Sequence, residues 1–210
     1  MVTMKSILQQ APMIPVITLT DIRHAVPLAQ ALLAGGITVL EITLRTPIAL
    51  EAIRSIKQAI PTCILGAGTI VHSQQFTEAK SAGASFAVSP GIHEKLIEAA
   101  RAVNLPYLPG VLTPSEALLA IQHELSELKF FPATLLGGIP MLHQLSLLYP
   151  NLRFCTTGGI DSKNFMDYLA LPNVLSIGGS WLTPSTLIQK GQWDKITRIT
   201  KKTLAQLRRQ

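Results

Sequence analysis

The chain repeats one unit: a short apolar run, a turn rich in Gly, Pro, Ser or Thr, and a helix-like segment. The apolar runs are Met13–Ile17, Thr38–Ile42, Cys63–Leu65, Phe86–Val88, Tyr107–Leu108, Leu128–Phe131, Leu152–Cys155 and Val174–Ile177. Strands that alternate with helices predict a parallel sheet with helical crossovers. Eight such units favour a closed (β/α)₈ barrel, the TIM barrel, in one domain over residues 1–210.

An open doubly wound sheet is the alternative fold. A dinucleotide-binding version would need Gly-x-Gly-x-x-Gly after the first strand, and the segment after Met13–Ile17 has no such motif. Two helix starts are predicted, at Thr46-Pro47 and Thr113-Pro114, where a capping residue is followed by proline.

Composition limits the classes of protein and of site. The two cysteines, Cys63 and Cys155, each lie in an apolar run, which predicts small buried side chains in a reducing cytoplasm. The Cys and His residues show no metal-ligand spacing, so we expect no metal. Apolar stretches fall short of the roughly 20 residues of a membrane span, so we expect no membrane partner.

The net charge of +6 raises the question of nucleic-acid binding. Much of the excess comes from basic residues near the C-terminus, namely Lys190, Lys195, Arg198, Lys201, Lys202, Arg208 and Arg209. They are interleaved at helical spacing with apolar residues such as Ile196, Ile199 and Leu204. This pattern favours the solvated face of an amphipathic helix, and we predict no nucleic-acid partner.

Lys129 is the strongest single candidate for chemistry. It lies in Leu128-Lys129-Phe130-Phe131-Pro132, a run typical of a strand buried on both faces. Burial disfavours an ammonium, so the pKa of this amine is predicted to fall, and a neutral amine attacks ketones. The alternative is a lysine at a strand end that extends its amine to water.

Three further residues lie where chemistry is expected in such a barrel, at the carboxyl ends of strands. Glu41 ends the second run and could exchange protons with Lys129, although a structural ion pair with Lys129 or Arg45 explains it equally well. Arg45 and Thr69 follow the second and third runs, and a guanidinium with a nearby hydroxyl suits a substrate carboxylate.

Two glycine-rich turns follow the last two runs. They are Thr157-Gly158-Gly159 and Gly178-Gly179-Ser180. Glycine allows backbone N–H groups to approach an anion closely, and the corresponding loops of barrels often bind phosphate. The pair of turns indicates a phosphorylated ligand.

Several motifs in register resemble the KHG/KDPG aldolase family, named for 2-keto-3-deoxy-6-phosphogluconate (KDPG). The motifs are Glu41-Ile42-Thr43-Leu44-Arg45-Thr46, Gly66-Ala67-Gly68-Thr69, Ser89-Pro90-Gly91, Lys129-Phe130-Phe131-Pro132-Ala133, Thr157-Gly158-Gly159-Ile160 and Gly178-Gly179-Ser180-Trp181. The resemblance runs from about Pro12 through Trp181 and implies a class I aldolase that cleaves a phosphorylated 2-keto acid. It also implies a homotrimer with no metal and no cofactor beyond a lysine imine.

The resemblance further implies a role for each site residue. Lys129 is expected to form the imine, and Glu41 to act as the general acid and base. Arg45 and Thr69 are expected to hold the pyruvate carboxylate, beside the Pro90 carbonyl and the Phe131 ring. The expected phosphate ligands are Thr157, Gly158, Gly159, Gly179 and Ser180.

Two other functions compete with the aldolase. One is a phosphate-binding barrel of another chemistry, an isomerase or synthase, which would not need a Schiff-base lysine. The other is a non-catalytic basic binding protein that uses the terminal helix, but such a scaffold has no reason to bury Glu41 and Lys129.

Overall fold

Nine parallel strands form the central sheet in a computed structural model that describes residues 3–207. They are β1 Met13–Ile17, β2 Val39–Thr43, β3 Ile64–Gly68, β4 Phe86–Val88, β5 Tyr107–Leu108, β6 Gly110–Val111, β7 Glu127–Phe130, β8 Arg153–Thr157 and β9 Val174–Gly179. Their order around the sheet is β5-β4-β3-β2-β1-β9-β8-β7-β6, so chain neighbours are also spatial neighbours and β1 pairs with β9.

The fifth predicted run is divided in two, because Pro109 separates β5 from β6 and proline has no N–H for the ladder. β5 pairs with β4, and β6 pairs with β7. The Pro109 carbonyl still accepts a hydrogen bond of 2.8 Å from the Lys129 N–H, which joins the two pieces into one wall. The predicted barrel of eight units is therefore confirmed, with its fifth strand in two segments.

Helices surround this barrel. They are α1 Met4–Gln10, α2 Ala25–Gly35, α3 Ala49–Ala59, α4 Gln74–Ser81, α5 Glu94–Ala102, α6 Pro114–Gln122, α7 Gly138–Leu148, α8 Phe165–Leu169, α9 Ser185–Gln189 and α10 Trp193–Leu207, with a 3₁₀ turn at Ile22–His24. Thr113 caps α6 as predicted, since its hydroxyl accepts from the Glu116 N–H and the Glu116 carboxylate accepts from the Thr113 N–H.

The predicted helix start at Thr46-Pro47 is wrong. The N–H of Leu44 donates to the Gly68 carbonyl at 2.7 Å, so the chain still follows the barrel rim after β2 has ended. A turn closed by the Ala49 N–H on the Thr46 carbonyl comes next, and α3 begins only at Ala49. The longer loop leaves Arg45 at the rim of the barrel mouth.

Two apolar layers stabilise the barrel. Alternate side chains such as Leu40 and Phe130 pack outward against the helices, while Ile14, Val39 and Phe86 fill the interior. α1, which the sequence patterns above did not predict, packs Met4, Ile7 and Leu8 against this interior cluster at the amino-terminal end of β1. The interior is thus filled at the amino-terminal ends of the strands, and the open mouth lies at their carboxyl ends.

The terminal basic segment forms the predicted amphipathic helix. α10 buries Ile196, Thr200 and Thr203, and it packs on α2, where a Cβ at Gly35 would overlap Thr200. Arg208 and Arg209 lie outside the described residues. Within residues 3–207 we find neither a helix long and apolar enough to cross a membrane nor a cluster of three His, Cys, Asp or Glu side chains that could hold a metal.

Candidate active site

Strand alternation directs two ionisable side chains into the barrel. In β2, Leu40 and Ile42 face the helices, so the intervening Glu41 faces the interior. In β7, Leu128 and Phe130 face outward, so Lys129 faces inward as well. Because β2 and β7 lie on opposite walls of the barrel, both side chains reach the same central space.

The amine of Lys129 and the carboxylate of Glu41 form a buried pair. Their Nζ and Oε1 atoms are 3.7 Å apart, and the two side chains are only 8% and 6% exposed. The Lys129 amine also lies 5.1 Å from the centroid of the Phe131 ring. Lys129 therefore does not extend to water, and that alternative is wrong.

The same carboxylate carries unused hydrogen-bonding capacity. Within the described residues, Glu41 Oε1 is buried and accepts no hydrogen bond, since 3.7 Å is too long for one. Gly68 makes room for it, because a Cβ at that position would overlap the carboxylate. A buried acceptor without a partner is costly, and it is free to bind a substrate hydroxyl or water.

The pair forms the floor of a pocket of about 210 Å³. Its other lining residues are Val16, Thr43, Arg45, Thr69, Pro90, Phe131 and Thr157. Thr69 has φ +61°, a left-handed conformation that is strained for a β-branched residue. The surrounding structure holds Thr69 in this conformation at the exit of β3, where the residue lines the pocket.

The two glycine-rich turns line a second pocket of about 110 Å³. Gly158 and Gly159 have φ values of +100° and +79°, which glycine adopts without a Cβ penalty. The second pocket shares Val16, Arg45 and Thr157 with the first, so the two are continuous. The structure thus places every predicted site residue along one cleft, with the lysine at one end and the glycine loops at the other.

A buried thiol lies beside the lysine. Cys155 on β8 pairs with Lys129 on β7 and faces the barrel interior. Burial raises the pKa of Cys155 to about 11 and that of Cys63 to about 11 as well. Both cysteines are buried, as predicted.

The sequence reasoning missed Val16, Thr43 and Ile160 as lining residues. The Thr43 hydroxyl lies 3.0 Å from the Ile17 carbonyl, to which it donates, and 2.9 Å from the Thr18 hydroxyl. The period of two along β2, which puts Glu41 and Thr43 on one face, was the available signal.

Comparisons with known proteins agree with this geometry. Residues 4–199 match the family model described as KDPG and KHG aldolase. The KHG/KDPG aldolase of Escherichia coli is 47% identical over 94% of this chain and 92% of its own length.

Two crystal structures share the fold closely. KDPG aldolase from Legionella pneumophila, with pyruvate captured as a covalent carbinolamine, has a TM-score of 0.92 and 43% identity over 94% of this chain and 96% of that one. The KDPG aldolase of Zymomonas mobilis with 3-phosphoglycerate has a TM-score of 0.90 and 41% identity over 95% and 93%. The match to the family model and the identity to these relatives both cover nearly the whole chain, and the chain therefore belongs to the KDPG and KHG aldolase family.

Proposed function

We propose that this protein is a class I aldolase. It cleaves KDPG reversibly to pyruvate and glyceraldehyde 3-phosphate, and it also cleaves 4-hydroxy-2-oxoglutarate to pyruvate and glyoxylate. The observation that carries this proposal is the buried Lys129 amine, 3.7 Å from the Glu41 carboxylate, in a cleft that continues into two glycine loops. An amine and a proton-transfer group held together are the requirements for imine chemistry on a ketone.

The first half of the reaction builds the imine. Lys129 first transfers a proton to its ion-pair partner Glu41. The resulting neutral amine attacks C2 of the substrate, and Glu41 gives that proton to the former carbonyl oxygen. The attacking nitrogen then loses a proton to the Glu41 carboxylate, which gives a carbinolamine. Loss of that hydroxyl as water, with a second proton from Glu41, leaves a protonated imine. Its positive nitrogen withdraws electrons from the adjacent C3.

The second half breaks the carbon chain. The Glu41 carboxylate accepts the proton of the C4 hydroxyl, directly or through water, the C3–C4 bond breaks, and its electron pair forms an enamine. The aldehyde leaves with C4 as its carbonyl carbon. Glu41 returns this proton to C3 of the enamine, and hydrolysis of the resulting imine releases pyruvate and restores Lys129. The unpartnered Oε1 of Glu41 is available for these transfers.

The remaining lining residues bind the two ends of the substrate. In this proposal Arg45 and Thr69 hold the pyruvate carboxylate, beside the Pro90 carbonyl and the Phe131 ring. The phosphate is bound by the residues of the second pocket, Thr157, Gly158, Gly159, Gly179 and Ser180. Backbone N–H groups at such turns donate hydrogen bonds to phosphate oxygens. The Zymomonas mobilis relative was crystallised with a phosphorylated acid, 3-phosphoglycerate.

The family resemblance supports three further parts of the proposal. The imine supplies the electron sink, so the reaction uses no metal or other cofactor. The protein acts in the cytoplasm, where its two buried cysteines stay reduced. It assembles as a homotrimer of a single aldolase domain.

The test is reduction of the protein with borohydride in the presence of pyruvate, followed by peptide mass mapping. A reduced pyruvyl adduct on Lys129 is expected, and Lys129→Ala is expected to lose both the adduct and the cleavage of KDPG. Lys195→Ala, which removes an exposed lysine of α10, is the matched control and keeps both. Folded wild-type protein without an adduct would contradict the proposal and favour a phosphate-binding barrel of another chemistry.

A further inference from the structure

A buried pair of hydroxyl groups lies next to Pro90, one of the residues that line the pocket around Lys129 (the lysine pocket). Ser89 is fully buried and Tyr107 is 6% exposed, and their hydroxyl oxygens are 2.6 Å apart. We propose that Tyr107 and Ser89 are positioning residues, which hold the turn Ser89-Pro90-Gly91 so that the Pro90 carbonyl faces the imine carbon chain. This inference rests on the proposed aldolase function and adds two residues that do not line the pocket.

The direction of these hydrogen bonds follows from counting protons. The Ser89 hydroxyl lies 2.5 Å from the Gly91 carbonyl oxygen, which can only accept, so Ser89 donates its one proton there. The Tyr107 hydroxyl must then donate to Ser89. The result is a relay with one direction, from the Tyr107 O–H to the Ser89 O–H to the Gly91 carbonyl.

Tyr107 keeps its proton throughout the working range of pH. Burial raises the pKa of Tyr107 to about 12. The phenol therefore remains a hydrogen-bond donor at neutral pH, and both hydrogen bonds of the relay persist there.

The Tyr107 end of the relay is fixed by packing and by a backbone hydrogen bond. The Tyr107 ring meets the fully buried Phe76 ring edge-on, with centroids 5.1 Å apart and an interplanar angle of 85°. The Ser89 N–H donates to the Leu108 carbonyl at 3.3 Å, which ties the end of β4 to β5. Both hydroxyl groups are therefore attached to the rigid barrel wall.

The turn at the other end of the relay contacts β6, which pairs with the lysine-bearing strand β7. A Cβ at Gly110 would overlap the Pro90 carbonyl, so the carbonyl sits directly against the backbone of β6. Gly110 is in turn the register partner of Lys129 on β7. Displacement of the turn would shift the Pro90 carbonyl relative to the lysine, and small errors of placement are costly in catalysis.

Pro90 itself is exposed, and it lies at the barrel mouth between two relay-bound residues. Its position therefore depends on the hydrogen bonds of Ser89 and Gly91 from below. The relay is spatially separate from the glycine loops, because Ser89, Pro90 and Tyr107 do not line the second pocket. The relay is expected to affect steps at the imine and to leave phosphate binding unchanged.

The test compares Tyr107→Phe, which keeps the ring and its packing on Phe76, with Ser89→Ala. Ser176→Ala is the matched control, because the buried Ser176 hydroxyl also donates to a backbone carbonyl, that of Ala11 at the other end of the barrel. Four quantities are measured: kcat and KM for KDPG, the rate of deuterium exchange at the pyruvate methyl group, and inhibition by inorganic phosphate.

We expect Tyr107→Phe to lower both kcat and the exchange rate roughly tenfold, as the loss of one buried hydrogen bond allows. Inhibition by phosphate is expected to stay unchanged. Ser89→Ala is expected to lose at least as much, and the double variant no more than Ser89→Ala alone, because the two hydroxyl groups act in series. Ser176→Ala is expected to keep wild-type rates even where its melting temperature falls.

Two results would overturn the relay: wild-type exchange in Tyr107→Phe, or losses in Tyr107→Phe and Ser89→Ala that simply add in the double variant. If Ser89→Ala does not fold, Tyr107→Phe decides alone. Pyruvate trapping by the wild-type protein separates the two levels of inference. Absence of trapping contradicts the aldolase function, whereas trapping with an unaffected Tyr107→Phe contradicts only the relay.

Discussion

Replacing Lys129 with methionine would remove the charged neighbour of a buried carboxylate and keep most of the side-chain volume. The charged atoms of Lys129 and Glu41 are 3.7 Å apart, and both side chains are more than nine-tenths buried. Coulomb's law at an effective dielectric constant of about 20 gives an attraction of about 4 kcal/mol at this separation. Breaking a buried pair from one side costs a similar amount, about 3–5 kcal/mol.

The expected result for Lys129→Met is therefore a fall in melting temperature of roughly 10 °C in a domain of this size. Glu41→Gln in the same chain removes the isolated charge, so the double variant is expected to recover most of the loss. Urea unfolding of the wild type, both single variants and the double variant measures the coupling free energy directly. Lys195→Met is the control at an exposed site on α10.

Single effects that add to within about 0.5 kcal/mol in the double variant would refute this reasoning. They would show that the amine and the carboxylate are not both charged in the folded protein. A drop as large for Lys195→Met would also refute it, because that substitution breaks no buried pair.

The remaining predictions concern the two ends of the cleft and the thiol beside it. Ser180→Ala is expected to lower kcat/KM for KDPG roughly tenfold or more, with little effect on 4-hydroxy-2-oxoglutarate; equal losses would place the phosphate elsewhere. Thr69→Gly is expected to raise KM for both substrates without loss of stability, since glycine adopts φ +61° freely, and clear destabilisation by urea would contradict this. Cys155, with a pKa of about 11, is expected to resist iodoacetamide at pH 8 in the native protein, to react faster as pH rises towards 11, and to label at once in denaturant; fast native labelling would contradict its burial.

The patterns that predicted correctly are local ones. Short apolar runs between turns predicted the strands that carry Glu41 and Lys129, and the structure has strands at both positions. The cap at Thr113-Pro114 depended on neighbours within one helical turn. Each of these features is decided by residues close together in the chain.

The patterns that failed depend on contacts from elsewhere. Thr46-Pro47 has the composition of a helix start, but the hydrogen bond from Leu44 to Gly68 on the neighbouring strand delays α3. α1 is short, and its stability comes from packing Ile7 and Leu8 into the barrel interior, so its own residues gave little signal. Tertiary contacts override local preference at both positions.

The sequence by itself predicted the barrel, the polar groups at the strand ends, and Lys129 and Glu41 as the candidates for chemistry. Only the tertiary structure decided that these two meet at 3.7 Å, and that the lysine pocket and the glycine loops join through Arg45 and Thr157. The reason is that barrel closure sets distances between residues far apart in the chain. Closure results from the pairing and packing of every strand, which no single segment encodes.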